Sequence, residues 1–300
     1  MRGAKGVPES LVKSGIFGLD PLIGGGFRER TAHVIVGSSG TGKTTFAMQF
    51  LMHGIDEGQQ GLYVTLEESP EQIVREGELM GFKMQEQVDK NLFFIHLKGK
   101  NFKKMIEEQL PALVKARADY DIKTRVVIDP MTPVIWATPD KLDQREMIGR
   151  LFYTLKELGV VIATVEEHAQ PGETIGEDVL LPIYLSDGAV HLEYYPVGGA
   201  FNRTLKVLKV RGAHHGEGVY PYFFAKGVGV IVRAGPGEMP SETAAKDFGA
   251  IFERAQRTAE SLKAPPHVIA KIGNMRRNWD YAYSPQEALQ ILFETYGLKS

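Results

Sequence analysis

The chain contains no cysteine. That excludes disulfides and thiolate metal sites and fits a reducing cytosol. No apolar run approaches the roughly 20 residues that a membrane helix needs. The opening stretch, MRGAKGVPESLVKSG, lacks the apolar core of a signal peptide. A surplus of one charge is missing too: the formal net charge is −2, which gives no global pull toward nucleic acid or anionic lipid. Internal repeats and low-complexity tracts are absent. These absences together lead us to expect a cytoplasmic protein without membrane contact. What is present is 43% hydrophobic and 24% charged residues over 300 positions, the profile of a globular chain with room for one large domain or two small ones.

Five short apolar runs read as buried central strands: AHVIVG (32–37), LYVTL (62–66), LFFIH (92–96), RVVID (125–129) and VVIATV (160–165). Helical stretches lie between them. One begins at Lys43, one follows the Ser69-Pro70 cap signal, and others cover about 103–118 and 141–158. Strand alternating with helix predicts an α/β fold with a mostly parallel sheet covered on both faces. From about 188 the pattern changes. AVHLEYY, TLKVLKV, YPYFFA and GVIV follow with only turns between them, and predict an antiparallel extension with a hairpin turn at 196–201. The Gly/Pro-rich AGPGEMPS (234–241) reads as a linker. The expected division is a domain at 1–238 and a helical C-terminal extension at 239–300. In the extension, Phe248, Ile251, Phe252, Ala255, Ala259 and Leu262 form one apolar stripe, prolines 265–266 break the helix, and a last helix opens at Ser284-Pro285. The stripe predicts a packed cap rather than a partner-docking module. NMRRNWDYAY (274–283) mixes cations with aromatics, and its acidic flanks favour a packed turn over a polynucleotide grip.

GSSGTGKT (37–44) matches the phosphate-loop pattern GxxxxGK[ST] and sits between a strand and a helix, where the chemistry requires it. Its glycines let backbone N–H groups turn inward as an anion nest, and the helix N-terminus adds partial positive charge. Nucleotide contacts are expected from Gly37, Ser38, Ser39, Gly40, Thr41, Gly42, Lys43, Thr44 and Thr45. Lys43 would reach the β- and γ-phosphates of ATP, and the Thr44 hydroxyl would ligate Mg²⁺. Asp129 ends the strand RVVID and is the candidate to hold that Mg²⁺ through water. In TLEES, Glu67 and Glu68 follow the strand 62–66. Glu67 is the candidate to orient an attacking water, with Glu68 in support. Without the phosphate loop, the same pair would read as a solvated helix opening.

KVRGAHHGEG (209–218) is the other cluster of chemistry-bearing residues. Lys209 and Arg211 alternate on a strand and so share a face. By itself such a pair reads as solvated edge-strand cations. His214 and His215, as neighbours on a strand, would point to opposite faces, which is poor geometry for one metal ion.

At these residues the sequence resembles the KaiC branch of the RecA-type ATPases. SGIFGLDPLIGGGF (14–27) resembles the segment that leads into their P-loop, YVTLEESPEQI (63–73) the segment with their paired glutamates, and SDGAVHLEY with LKVLKVRGAHHGEGVYPYFF their late strands. The resemblance covers about 10–235. It implies a RecA-like ATPase core that forms a ring, probably hexameric in that family, with ATP between subunits. It further implies that Lys209 and Arg211 reach the γ-phosphate held by a neighbouring subunit, with His215 close to that nucleotide and His214 incidental. Three departures stand out. The family's best-known member has two ATPase domains in tandem, whereas one is recognised here. That member phosphorylates itself on adjacent Ser and Thr, where this chain has Pro182-Ile183-Tyr184, which disfavours such kinase activity. Residues 240–300 fall outside the resemblance.

The expected function is therefore an ATP-hydrolysing ring that acts as a slow switch or scaffold for a protein partner. A DNA-handling recombinase relative ranks second. Such rings need basic or aromatic loops facing the centre. The segment EEHAQPGETIGEDVLLPIYLSD (166–187) carries only acidic charges, and MTPVIWATPDKLDQR has Lys141 and Arg145 but no basic cluster.

Overall fold

The computed structural model describes residues 11–97, 102–118, 123–168, 176–194, 203–233, 248–279 and 285–298. The expected linker 234–241, the boundary near 238 and the hairpin turn at 196–201 lie wholly or largely outside the described residues.

A nine-stranded sheet organises the chain. Its strands are β3 (Ala32–Gly37), β4 (Gln60–Thr65), β5 (Leu92–His96), β6 (Thr124–Asp129), β7 (Gly159–Glu166), β8 (Gly188–Tyr194), β9 (Arg203–Val210), β10 (Tyr220–Ala225) and β11 (Gly229–Val232), in the order β11-β10-β9-β8-β3-β7-β6-β4-β5. β8 joins β3 in parallel, and β9, β10 and β11 continue antiparallel. A separate two-stranded ribbon pairs β1 (Leu11–Val12) with β2 (Phe27–Arg28). The fold is the α/β, mostly parallel sheet with an antiparallel extension that the sequence predicts, except that AVHLEYY, read as the first antiparallel strand, is a parallel neighbour of β3 and the antiparallel set begins at β9.

The central strands have no polar face because both faces are covered. Ile35, Tyr63, Val127 and Ile162 point to one apolar cluster, shared with Phe46 and Phe50. Their neighbours Val34, Val36, Leu62, Val64, Val126 and Val161 point to another, shared with Leu151 and Phe152. The first cluster packs under α1 (Lys43–Asp56) and α2 (Pro70–Met80). The second packs under α4 (Leu110–Ala118), reached from α3 (Phe102–Lys104) through a wider turn at Met105–Gln109, and under α6 (Lys141–Lys156). Ser69 caps α2, its hydroxyl accepting the Gln72 N–H at 3.3 Å. Asp140 caps α6 by accepting from Leu142 and Asp143. Each cap contributes about 1 kcal/mol.

Two helices fall where no helix was expected: α5 (Thr132–Trp136), and α7 (Glu177–Leu185) inside the acidic segment 166–187. Their short, apolar sequences carry too little periodicity to distinguish a helix from a buried loop. At the C-terminus, α8 (Gly249–Ser261), α9 (Pro266–Asn278) and α10 (Gln286–Thr295) pack a third apolar cluster against Phe17, Ala225, Val228 and Ile231. Phe252, Ala255 and Ala259 of the expected stripe are buried, whereas Leu262 is exposed at the end of its helix. Among the described residues no helix is long and apolar enough to cross a membrane.

Candidate nucleotide site

β3 ends at Gly37 and α1 begins at Lys43, so the loop between them turns at the C-terminal edge of the sheet. Gly42 caps α1 with φ = +92°. Inside the loop, the Thr41 hydroxyl donates to the Ser38 carbonyl at 2.8 Å, and the Tyr222 hydroxyl donates to the Thr41 carbonyl at 2.6 Å. Ser38, Ser39 and Gly40 are exposed. Lys43 folds back on its own loop, its ammonium donating to the carbonyls of Gly37 at 2.8 Å and Ser38 at 2.9 Å. Burial pushes its pKa down, opposed by the carboxylates of Glu166, Asp129 and Glu167.

Beside the loop lies a cavity of about 460 Å³. Lys43, Thr44 and Thr45 line it together with Glu67, Glu68 and Asp129, so the structure gathers residues that are up to 86 positions apart in the chain. Asp129 is buried at the end of β6 and accepts hydrogen bonds from the hydroxyls of Tyr63 and Thr164. Two hydroxyls leave lone pairs of a carboxylate free. Its oxygens and the Thr44 hydroxyl are the hard donors that Mg²⁺ takes, usually with several waters. Glu67 and Glu68 follow β4. Their pKa values are raised, first by partial burial; for Glu67 the carboxylates of Glu166 and Asp129 add to it, and for Glu68 those of Glu76, Asp129 and Glu67.

Four residues near the loop were not singled out from the sequence. Glu166 ends β7 beside Gly37 and lines the cavity. It ends an apolar strand as Asp129 does, and that position was its available signal. Met80 and Phe224 contribute apolar surface to the cavity lining. Arg203, at the start of β9, donates to the Gly40 carbonyl at 3.2 Å and lies over the rings of Tyr194 and Phe224, at 4.2 and 5.1 Å from their centroids. Only the antiparallel pairing of β8 with β9 brings it there.

Lys209 and Arg211 are not brought to this cavity. Gly37 is level with Leu192, which faces Leu205; Lys209 faces Ala189, which is level with Val34. Lys209 therefore stands roughly 10 Å back along the strands from Gly37 and two strands to the side. β9 is an interior strand rather than the expected edge. Its second half is nevertheless open, because β10 pairs only with Thr204 and Leu205. The two cations do converge: both donate to the Tyr184 carbonyl at the end of α7, Lys209 at 3.2 Å and Arg211 at 2.9 Å. Burial and the charge of Arg211 push the Lys209 pKa down, against the pull of Asp187. The histidines differ from expectation. β9 ends at Val210, so His214 and His215 lie in a loop, and the strand alternation used to separate them does not apply. His214 is exposed, and His215 is half-buried with Nδ1 3.2 Å from the Gly216 carbonyl.

The model of the KaiC ATPase family matches residues 12–236. The chain belongs to the KaiC ATPase family. It is 33% identical over 232 residues to the circadian clock oscillator protein KaiC of Thermostichus vulcanus, a match covering 72% of this chain and 43% of that protein. The matched stretch thus spans less than half the length of that KaiC. A UPF0273 protein of Methanopyrus kandleri is 30% identical over 225 residues, covering 70% of this chain and 87% of its own. Among solved structures, a KaiC-like protein from Pyrococcus horikoshii superposes with a TM-score of 0.63 at 28% identity, covering 75% of this chain and all of that one. The fold and the matched family are those of a KaiC-like, RecA-type P-loop ATPase core.

Proposed function

We propose that the chain binds ATP with Mg²⁺ in the cavity of about 460 Å³ and hydrolyses it at a site completed by a second copy, in a closed hexameric ring. The phosphates would take the Gly37–Thr45 loop and Lys43, and the base the apolar lining that Met80 and Phe224 contribute. Mg²⁺ would be held by Thr44 and Asp129, where it would neutralise charge on the transferring phosphoryl group. Glu67, with Glu68 beside it, would orient the attacking water and accept its proton. We divide the chain into an ATPase domain at 1–238 and a helical extension at 239–300 whose helices cap the core through an apolar cluster shared with Phe17, Ala225, Val228 and Ile231. A slow switch or scaffold role for a protein partner follows from a site that reports its nucleotide to a neighbouring copy.

One observation carries this reading. Lys209 and Arg211 converge on the Tyr184 carbonyl, away from their own P-loop, while among the described residues the cavity lining carries Glu67, Glu68, Asp129 and Glu166 against one cation, Lys43, and Arg203 is engaged with the Gly40 carbonyl. A developing negative charge on the γ-phosphate needs more cation than Lys43 supplies. A head-to-tail neighbour presents that pair, and repeated head-to-tail contact closes into a ring.

The test mixes Lys43→Ala with Arg211→Ala subunits, each inactive alone. Interfaces that combine an intact Lys43 loop with an intact Arg211 should recover part of the ATPase activity. Absence of recovery in subunits seen to exchange would reject the shared site. Mass measurement with and without ATP·Mg²⁺ checks the ring itself.

A further inference from the structure

The C-terminal helices lie beyond the matched residues 12–236, yet they touch α1 directly and reach α2 through the β10–β11 turn. α1 carries Lys43 at its first residue and Asp56 at its last, about 20 Å away. Lys271 of α9 donates to the Asp56 carboxylate at 3.0 Å and to the Tyr296 hydroxyl at 2.8 Å. Tyr296 also stands 3.3 Å from His53 Nδ1 on α1. Burial opposes the charge on Lys271, but Tyr296 and Asp56 outweigh it and leave its pKa raised.

A second contact reaches α2. Met80, the last residue of α2, lines the nucleotide cavity. Its carbonyl accepts the Gly227 N–H at 2.7 Å, from the β10–β11 turn that follows Phe224. Asn274 of α9 packs on the other side of Gly227, so closely that a β-carbon there would lie 2.6 Å from the Asn274 β-carbon. A second cavity of about 310 Å³ runs between α1, the residues after Gly81 and α9. Met80 thus lines the first cavity and its neighbour Gly81 the second.

We propose that α9 is a positioning element of the nucleotide site. Lys271 fixes α9 to the far end of the P-loop helix, and Asn274 fixes the turn that holds Met80 and Phe224 in place. The C-terminal helices thereby set nucleotide affinity from outside the ATPase core. This rests on the nucleotide reading of the first cavity.

The test uses the full chain and a fluorescent N-methylanthraniloyl-ADP. Lys271→Met removes the charge and keeps most of the volume. It should raise the Kd for the probe, and the KM for ATP with it, on the order of five- to tenfold. kcat should stay within about twofold, since the lost interaction is made equally in ground and transition states. Lys271→Arg should fall between wild type and Lys271→Met. If Lys271→Met melts at a lower temperature but binds the probe as wild type does, the helices are only a cap and the proposal is overturned. Should that variant be insoluble, Tyr296→Phe is read instead: a raised Kd supports the coupling, and an unchanged one overturns it. Failure of the wild-type chain to bind the probe would overturn the nucleotide reading together with this one, whereas equal binding by wild type and variant overturns this one alone.

Discussion

The ring of Phe224 stands against the α-carbon of Gly42, so a side chain on that glycine would collide with it. The contact joins the antiparallel extension to the P-loop and fixes the first turn of α1 in place. Gly42→Ala therefore meets two penalties: the left-handed backbone costs about 1–2 kcal/mol for a residue with a β-carbon, and Phe224 must shift. We expect fluorescent ADP to bind at least roughly tenfold more weakly, measured by titration. Wild-type affinity would show that Phe224 is not a fixed wall.

Glu67 gives a pH prediction. Burial, with Glu166 and Asp129 nearby, raises its pKa. The carboxylate thus protonates at a higher pH than an ordinary glutamate, and the proton-accepting form is lost earlier as pH falls. The kcat of ATP hydrolysis should decline on the acid side, starting above the ordinary carboxylate range. Glu67→Gln should lower kcat by about a hundredfold or more, retain nucleotide binding and lose that acid limb.

Arg203 is the late-strand cation that serves its own P-loop. Arg203→Ala removes the hydrogen bond to Gly40 and the stacking on Tyr194 and Phe224. Together these contribute about 1–2 kcal/mol. Nucleotide affinity should fall about threefold to tenfold. Mixing with Lys43→Ala subunits should not rescue it, because the defect is in the loop of the same subunit.

His33 sets an acid limit on stability. It is buried with its pKa lowered to about 3, first by burial; Asp187 opposes the shift, and Lys156 and Lys209 add to it. The unfolded chain takes up this proton near pH 6.5, while the folded chain does not until about pH 3. Between those values the unfolded state binds more protons, so stability is lost as pH falls. Urea midpoints measured from pH 7 to pH 4 should drop, and His33→Gln should show a shallower drop.

The phosphate loop was legible because it is a contiguous motif whose parts act within one strand–loop–helix unit. Asp129 and Glu67 were legible by the same logic, as acids just past apolar strands. Glu166 obeys that rule but sits at the head of a run of acids, so its position was masked by the charge pattern of 166–187. Met80, Phe224 and Arg203 carried no local signal. Apolar and cationic side chains at such positions are ordinary core and surface residues until a neighbouring strand brings them to the loop. α7 was missed because nine apolar-rich residues with an internal proline have no helical period to read.

The sequence alone determined the alternation of the central strands with their main helices and the P-loop. Each is set by local periodicity, by glycine and proline chemistry, or by a short motif. Tertiary structure decided which cations serve which site. Arg203 and Arg211 are eight positions apart on one segment, but β9 runs antiparallel to β8, so Arg203 arrives at the P-loop and Arg211 at the opposite end of the sheet. Strand direction within a sheet depends on long-range pairing, and no window of sequence contains it.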